Sequence, residues 1–477
     1  MRTLSNIILR KESYKPLLTY KCPQKNQWKP FYQNDLLQYT NFCFYQLQQL
    51  NLKKNDRILY KGKNSIEWLA WNMASNAMGC IWVPMYEQQH DEYYKHIIQD
   101  CNPKLAIVDD PKKWKHNSVK SISNYIEHET YYNPIKKCEE NEIATIIYTS
   151  GTTGKSKGVT LTNENILINT DSIHNIYHDV IDMKSLNVLP WAHIYGQTCE
   201  LYYNLIYNNE TILCSNKNKF LQECRLFQPT VLFLVPFVLE QIKSKLNIFD
   251  KPGVSWMIPS LLEQILGKNI KMIFVGGAAI TKETLNFFTK NGICICQGYG
   301  MTETSPMVSL NHWTSPRNEN SVGFILDNVH VKIVNDEIHV KGESVMKGYW
   351  NELPLSSKEW YQTGDLGYVD DNFLFYTGRK SENFKLSNGK FINVNKLEKK
   401  IKINLPNANF IICYQNGICL ISDKKVKLDV INKGLKQHEK IEHLYYISPQ
   451  ELKEKYMTPK MSIKRNLLQK HFLKNQS

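Results

Sequence analysis

Between about residues 55 and 300, short β-branched or aromatic runs alternate with longer amphipathic ones. The runs Ile143 to Thr149, Thr230 to Val235 and Lys271 to Val275 read as strands, and Thr162 to Asn175, Pro236 to Asn247 and Thr281 to Lys290 read as helices. This alternation constrains the fold more than any other feature: strands separated by helices form βαβ units with largely parallel sheets. From Val322 to Tyr376 the pattern shifts to short alternating strands such as VHVKIV and EIHV, which read as a smaller β-rich subdomain.

A chain of 477 residues has room for about three domains. The longest uncharged apolar stretch, around Thr230 to Leu239, is about half of a membrane span, so no transmembrane helix is expected. The first residues, MRTLSNIILRKESY, have too short an apolar core for a secretory signal, and a cytoplasmic protein is the expectation. The 12 cysteines show no C-x-x-C spacing; Cys294 and Cys296 are the closest pair. Reduced, buried thiols without metal or redox chemistry are therefore expected.

The net charge of +14 is unevenly placed. Residues 380–477 hold 20 Lys/Arg against 8 Asp/Glu, whereas the first 379 hold 39 against 37, which suggests a domain boundary near residue 380. Such a basic region is either a solvated face or a surface that attracts a phosphorylated ligand or an anionic membrane. Nucleic acid is disfavoured, since no helix-turn-helix, zinc-finger or RNP-type signature occurs.

Residues 148–159 read YTSGTTGKSKGV directly after a strand. Glycines let backbone N–H groups converge on an anion, while hydroxyls and ammonium groups add donors, so this loop suits a polyphosphate. Three competing motifs fail. Thr149 stands where a Walker A loop needs its first Gly, and Glu303 occupies the third glycine of a dinucleotide fingerprint starting at Gly298. The match of Gly154 to Gly158 to G-x-S-x-G lacks a helix after Ser156, because the β-like VTLT follows.

At this loop the sequence resembles the adenylate-forming superfamily of acyl-CoA synthetases, luciferases and peptide-synthetase adenylation domains, over roughly residues 55 to 470. Its other ordered motifs are LPWAHIYGQ (189–197), VGGAA (275–279), QGYGMTETSP (297–306), YQTGDLGYVDD (361–371) and GRKSENFKLSNGK (378–390). The resemblance implies an α/β fold with a large N-terminal domain, residues 1–378, of two βαβ-type sheet subdomains plus a small β-rich one. A hinge at 379–382 and a small, mobile, basic α+β lid at 383–477 would follow.

It also implies site roles. Thr149, Ser150, Gly151, Thr152, Thr153, Gly154, Lys155 and Lys157 would grip the phosphates of ATP, and Gly276, Gly277 and Ala278 would approach adenine. His193 would lie beside the substrate carboxylate. Tyr299, after which Gly300 follows, would stack on adenine, Thr302 would meet the α-phosphate, and Glu303 would ligate Mg2+. Asp365 and Arg379 would hold the ribose, and Lys385 would serve thioester formation. Ser462 stands at the position of the usual adenylation lysine, and Lys460 or Lys464 is expected to act instead. The implied reaction joins a long-chain fatty acid to CoA, through an acyl-adenylate formed from ATP with loss of pyrophosphate and then release of AMP. A carrier-protein thiol as acceptor, though no fused carrier domain is evident, and a nucleotide-binding regulatory protein are the alternatives. The basic region is a candidate for peripheral contact with an anionic membrane.

Overall fold

The computed structural model describes residues 3–7, 14–22, 25–87, 89, 91–109, 119–121, 139, 141–149, 156–180, 182–250, 253–356, 359–380, 383–386, 391–405, 410–414, 417–456, 467–468 and 471. Most of its strands fall into a seven-stranded and a thirteen-stranded sheet. No described helix is long and apolar enough to cross a membrane.

In the smaller sheet, β1 (Ile143–Thr149) and β2 (Lys157–Thr162) form an antiparallel pair in which Thr149 lies opposite Lys157. Both ends of the glycine-rich segment are thereby fixed side by side. Gly158 is needed because a Cβ there would lie 2.7 Å from Ile146 Cγ2. Helix α1 (Asn163–Tyr177) starts at Thr162, whose hydroxyl accepts from the Asn165 N–H at 3.0 Å while the Asn165 amide oxygen accepts from the Thr162 N–H at 2.9 Å. This reciprocal capping box satisfies two backbone donors that the helix start would otherwise leave bare.

The larger sheet carries the βαβ pattern read from the sequence. Strand β3 (Val231–Leu234) leads through α2 (Pro236–Leu246) to β4 (Met272–Val275), and α3 (Lys282–Lys290) leads to β5 (Cys294–Gly300). The three strands are parallel neighbours with buried apolar side chains on both faces. Pro236 begins α2 with its ring where no N–H is required, and the Thr281 hydroxyl caps α3.

At β5 the sheet changes character, because its far edge pairs antiparallel with β6 (Met307–Leu310). The β-rich run beyond residue 322 continues from there. Strand β7 (Gly348–Tyr349) turns back to pair with β2, Tyr349 opposite Val159, and so ties the two sheets together. Strands β8 (Tyr361–Asp370) and β9 (Phe373–Arg379) pair with Asp365 opposite Arg379.

Beyond Arg379 the described strands form separate two- and three-stranded sheets. An apolar cluster including Ile392, Leu397, Ile401, Ile412, Leu420 and Ile431 is drawn from residues 384–444 alone.

The junction of β5 and β6 requires backbone against backbone. A Cβ on Gly300 would lie 1.8 Å from the Pro306 carbonyl oxygen. Gly300→Ala should therefore cost about 3 kcal/mol through overpacking, read as a lowered midpoint in urea unfolding.

Candidate functional site

The carboxylate of Asp365 is almost wholly buried, at 2% exposure, and two neighbours hold it. The Tyr299 hydroxyl at the end of β5 donates to Oδ2 at 2.8 Å, and Arg379 Nε lies 2.8 Å from Oδ1. The register of β8 and β9 places the acid and the guanidinium opposite each other. Thr363 Oγ1 accepts from the Asp365 N–H at 3.0 Å and orients the backbone beneath. Three residues singled out separately in the sequence thus meet in one cluster.

A second cluster adjoins it. Thr302 and Glu303 lie on a single turn of 3-10 helix after β5, and both are buried. Glu303 Oε1 accepts from the Tyr349 hydroxyl at 3.0 Å, and that hydroxyl lies 3.0 Å from the hydroxyl of Tyr361, which begins β8. Lys157 Nζ sits 4.5 Å from the Tyr349 ring centre and 2.9 Å from Glu352 Oε1. Side chains therefore run from the root of the glycine-rich segment, through Tyr349 and Glu303, to the strand carrying Asp365. Tyr349 and Tyr361 were not found by sequence reasoning: tyrosines are common in this chain, and in YQTGDLGYVDD, which Tyr361 opens, only Asp365 stood out.

The LPWAHIYGQ segment approaches from another side. His193 Nδ1 accepts from the Tyr195 N–H at 3.1 Å, which orients the imidazole. The chain then enters a π-helix, Tyr195–Tyr202, in place of a regular α-helix. A Cβ on Gly276 would lie 3.4 Å from the Tyr195 ring, so this glycine allows the two segments to meet. Gly277 adopts φ +79°, and both it and Ala278 are exposed beside the buried end of β4. Tyr195, Cys199, Phe233, Phe274, Cys296 and Met307 enclose an apolar cavity of about 10 Å³, with Phe233 and Phe274 stacked 4.6 Å apart.

Ser150 to Lys155, Lys460, Ser462 and Lys464 lie outside the described residues. Lys385 lies on a short strand, Asn383–Lys385, and its side chain is likewise outside the description. Thr149 is placed by its register opposite Lys157.

The donor set fits the groups the motifs imply. Glu303 offers hard carboxylate oxygens and makes no ion pair among the described residues, which suits the Mg2+ that the motifs imply. No cluster of three or more His, Cys, Asp or Glu capable of holding a metal occurs among the described residues.

The family model for AMP-binding enzymes matches residues 35–350. The chain belongs to this family, within the adenylate-forming superfamily. Long-chain-fatty-acid–CoA ligase FadD15 of Mycobacterium bovis is 25% identical to this adenylate-forming enzyme over 431 residues, 75% of this chain and 70% of the relative. A long-chain-fatty-acid–CoA ligase of Bacillus subtilis is 30% identical over 280 residues, 52% of this chain and 46% of that one. Among solved structures, ATP-bound MatB of Rhodopseudomonas palustris superposes with a TM-score of 0.82 at 18% identity, over 100% of this chain and 99% of that one. The o-succinylbenzoate CoA synthetase of Bacillus subtilis with its acyl-adenylate gives 0.78 at 21%, over 98% of each chain. These superpositions establish the adenylate-forming fold over the full length.

Behind the site, the π-helix carries a completely buried acid, Glu200. Burial pushes its carboxyl from the usual 4.5 up to about 8, against hydrogen bonds from Asn187 at 2.6 Å and Ser185 at 3.1 Å. Between those values the folded chain keeps a proton that the unfolded chain has lost, so this group's contribution to stability declines as pH rises through the window. Relative to the native protein, Glu200→Gln should remove one downward contribution to Tm between pH 5 and 8, so that the difference in Tm between native protein and variant shifts in the variant's favour as pH rises, as differential scanning fluorimetry across that range would record.

Proposed function

We propose that this enzyme joins a fatty acid to CoA in two steps. In the first, a carboxylate oxygen attacks the α-phosphorus of ATP and pyrophosphate leaves, forming an acyl-adenylate. In the second, the thiol sulfur of CoA attacks the acyl carbon, its proton is lost, and AMP leaves. The observation that carries this reading is the meeting of Tyr299, Asp365 and Arg379 next to the Glu303–Tyr349–Tyr361 cluster. A buried carboxylate suits two ribose hydroxyls, and a buried glutamate at the following turn suits the phosphate end of the same nucleotide.

Bound Mg2+, held by Glu303 and phosphate oxygens, would neutralise charge on the polyphosphate. The residues around it do the positioning. Thr302 offers a hydroxyl at the α-phosphate, and the segment from Thr149 to Lys157 encloses the β- and γ-phosphates. His193 lies where the carboxylate enters, and Lys460 or Lys464 supplies the cation for charge developing between carboxylate and phosphorus. Residues 383–477 swing about 379–382 between the steps, bringing Lys385 to the thioester-forming arrangement. Their excess of basic side chains favours the phosphates of CoA.

A fatty acid is favoured because the FadD15 relative is a long-chain-fatty-acid–CoA ligase and the cavity beside the acid segment is wholly lined by apolar and aromatic side chains. That cavity holds about one water's volume, so a tail enters only when Tyr195 and the Phe233–Phe274 pair move aside. Each buried methylene contributes about 0.8 kcal/mol, enough for a tail to drive that opening.

Assaying AMP formation across acids of graded length, with and without CoA, tests the proposal. CoA-dependent AMP release with acids above a minimum length is the expected result, and replacing Lys460 or Lys464 by Ala should reduce carboxylate-dependent ATP–pyrophosphate exchange about 100-fold. AMP release with no dependence on CoA would point to another acceptor, and full exchange in both variants would remove the lysines from the first step.

A further inference from the structure

Strand β5 carries two thiols on one face before it enters the nucleotide motif. Cys294 and Cys296 are two residues apart, and their sulfurs lie 3.8 Å from each other. Cys294 is partly exposed, whereas Cys296 is completely buried and lines the apolar cavity next to Tyr195 and Met307. Arg317 Nη1 donates to Cys294 Sγ at 2.8 Å. The guanidinium is held in place by Nη2 donating to the Ile295 carbonyl at 3.2 Å and to Glu319 Oε1 at 3.1 Å.

A fixed cation beside a sulfur favours thiolate over thiol. The hydrogen bond from Cys296 and then the Arg317 charge pull the Cys294 thiol below the usual thiol range despite partial burial. Burial pushes the Cys296 thiol in the opposite direction. The other partly exposed described cysteine, Cys214, is raised by burial to about 12. One accessible thiolate beside one protonated thiol is the division of labour of an oxidant-sensing pair.

We propose that Cys294 is an oxidant-reactive thiolate and Cys296 its resolving thiol, a modification site on the strand that leads into the nucleotide cluster. With a hydroperoxide as oxidant, the Cys294 sulfur attacks the terminal peroxide oxygen. The O–O bond breaks, the leaving oxygen takes up a proton, and Cys294 becomes a sulfenic acid. The Cys296 sulfur then attacks the Cys294 sulfur, its proton and the hydroxyl leave as water, and a disulfide forms. Two electrons pass from the sulfurs to the peroxide. Residues two apart on a strand have Cα atoms about 6.6 Å apart, within the span a disulfide bridges. The bond draws Cys296 away from the cavity wall, three residues before Tyr299.

The test treats the 477-residue chain with hydrogen peroxide, blocks remaining thiols and maps peptides by mass. A Cys294–Cys296 peptide lighter by two hydrogens, restored by dithiothreitol, is the expected product, and Cys296→Ser should leave Cys294 as a sulfenic acid trapped by dimedone. Without peroxide, iodoacetamide should label Cys294 at least about tenfold faster than Cys214, and Arg317→Gln should remove most of that advantage. Equal labelling of Cys294 and Cys214 in the unaltered protein would overturn the proposal whether or not the variants fold. The oxidised enzyme should also form AMP several-fold more slowly, an arm that rests on the proposed ligase activity. A mapped disulfide with unchanged turnover would sever the pair from the site while leaving the thiol chemistry standing.

Discussion

The ion pair between Asp365 and Arg379, completed by the Tyr299 hydroxyl, is the constraint around which the site is arranged. A carboxylate at 2% exposure is costly to bury unless its charge is met and its lone pairs are satisfied. Meeting it here needs three strands of one sheet: β5 to deliver Tyr299, β8 to deliver the acid and β9 to place Arg379 opposite Asp365. The same requirement draws the β-rich run onto the edge of the βαβ sheet, because β5 serves as a parallel partner on one side and an antiparallel partner on the other.

Glu303 depends on a second union, between the two sheets. Tyr349 reaches the glutamate only because β7 turns back onto β2, so the glutamate and the root of the glycine-rich segment share one tyrosine. The two clusters to which the proposed function assigns polyphosphate and ribose are thus set by independent pairings that converge on the turn after β5. The glycines at 298 and 300 make that turn possible, since a side chain at either would strike Met307 or Pro306.

The three strands and three helices named between residues 143 and 290 were legible to within a residue or two, because periodicity and caps such as Thr162 and Thr281 report local structure directly. The ordered motifs named Tyr299, Glu303, Asp365 and Arg379 because each keeps a fixed neighbourhood of glycines and hydroxyls. Tyr349 and Tyr361 escaped notice because their importance comes from long-range strand pairing, which no local window contains. The π-helix and its buried Glu200 escaped for a similar reason: an acid in an apolar run reads as a surface residue until Ser185 and Asn187 are seen to fold over it. The cysteines were read as inert from their spacing, and only Arg317, 23 residues further along the chain from Cys294, distinguishes that thiol from the rest.

The central claim is that one nucleotide occupies both clusters while its acyl group points to the cavity beside Tyr195. Isothermal titration with a non-hydrolysable acyl-sulfamoyl adenosine measures this directly, because the ligand spans ribose, phosphate position and tail at once. The account predicts tight one-to-one binding that weakens at least about 100-fold in Asp365→Asn, whose amide can no longer accept from both ribose hydroxyls as a carboxylate does. Equal affinity in the folded variant and the native enzyme would contradict it, since the ribose would then lie somewhere other than against Asp365.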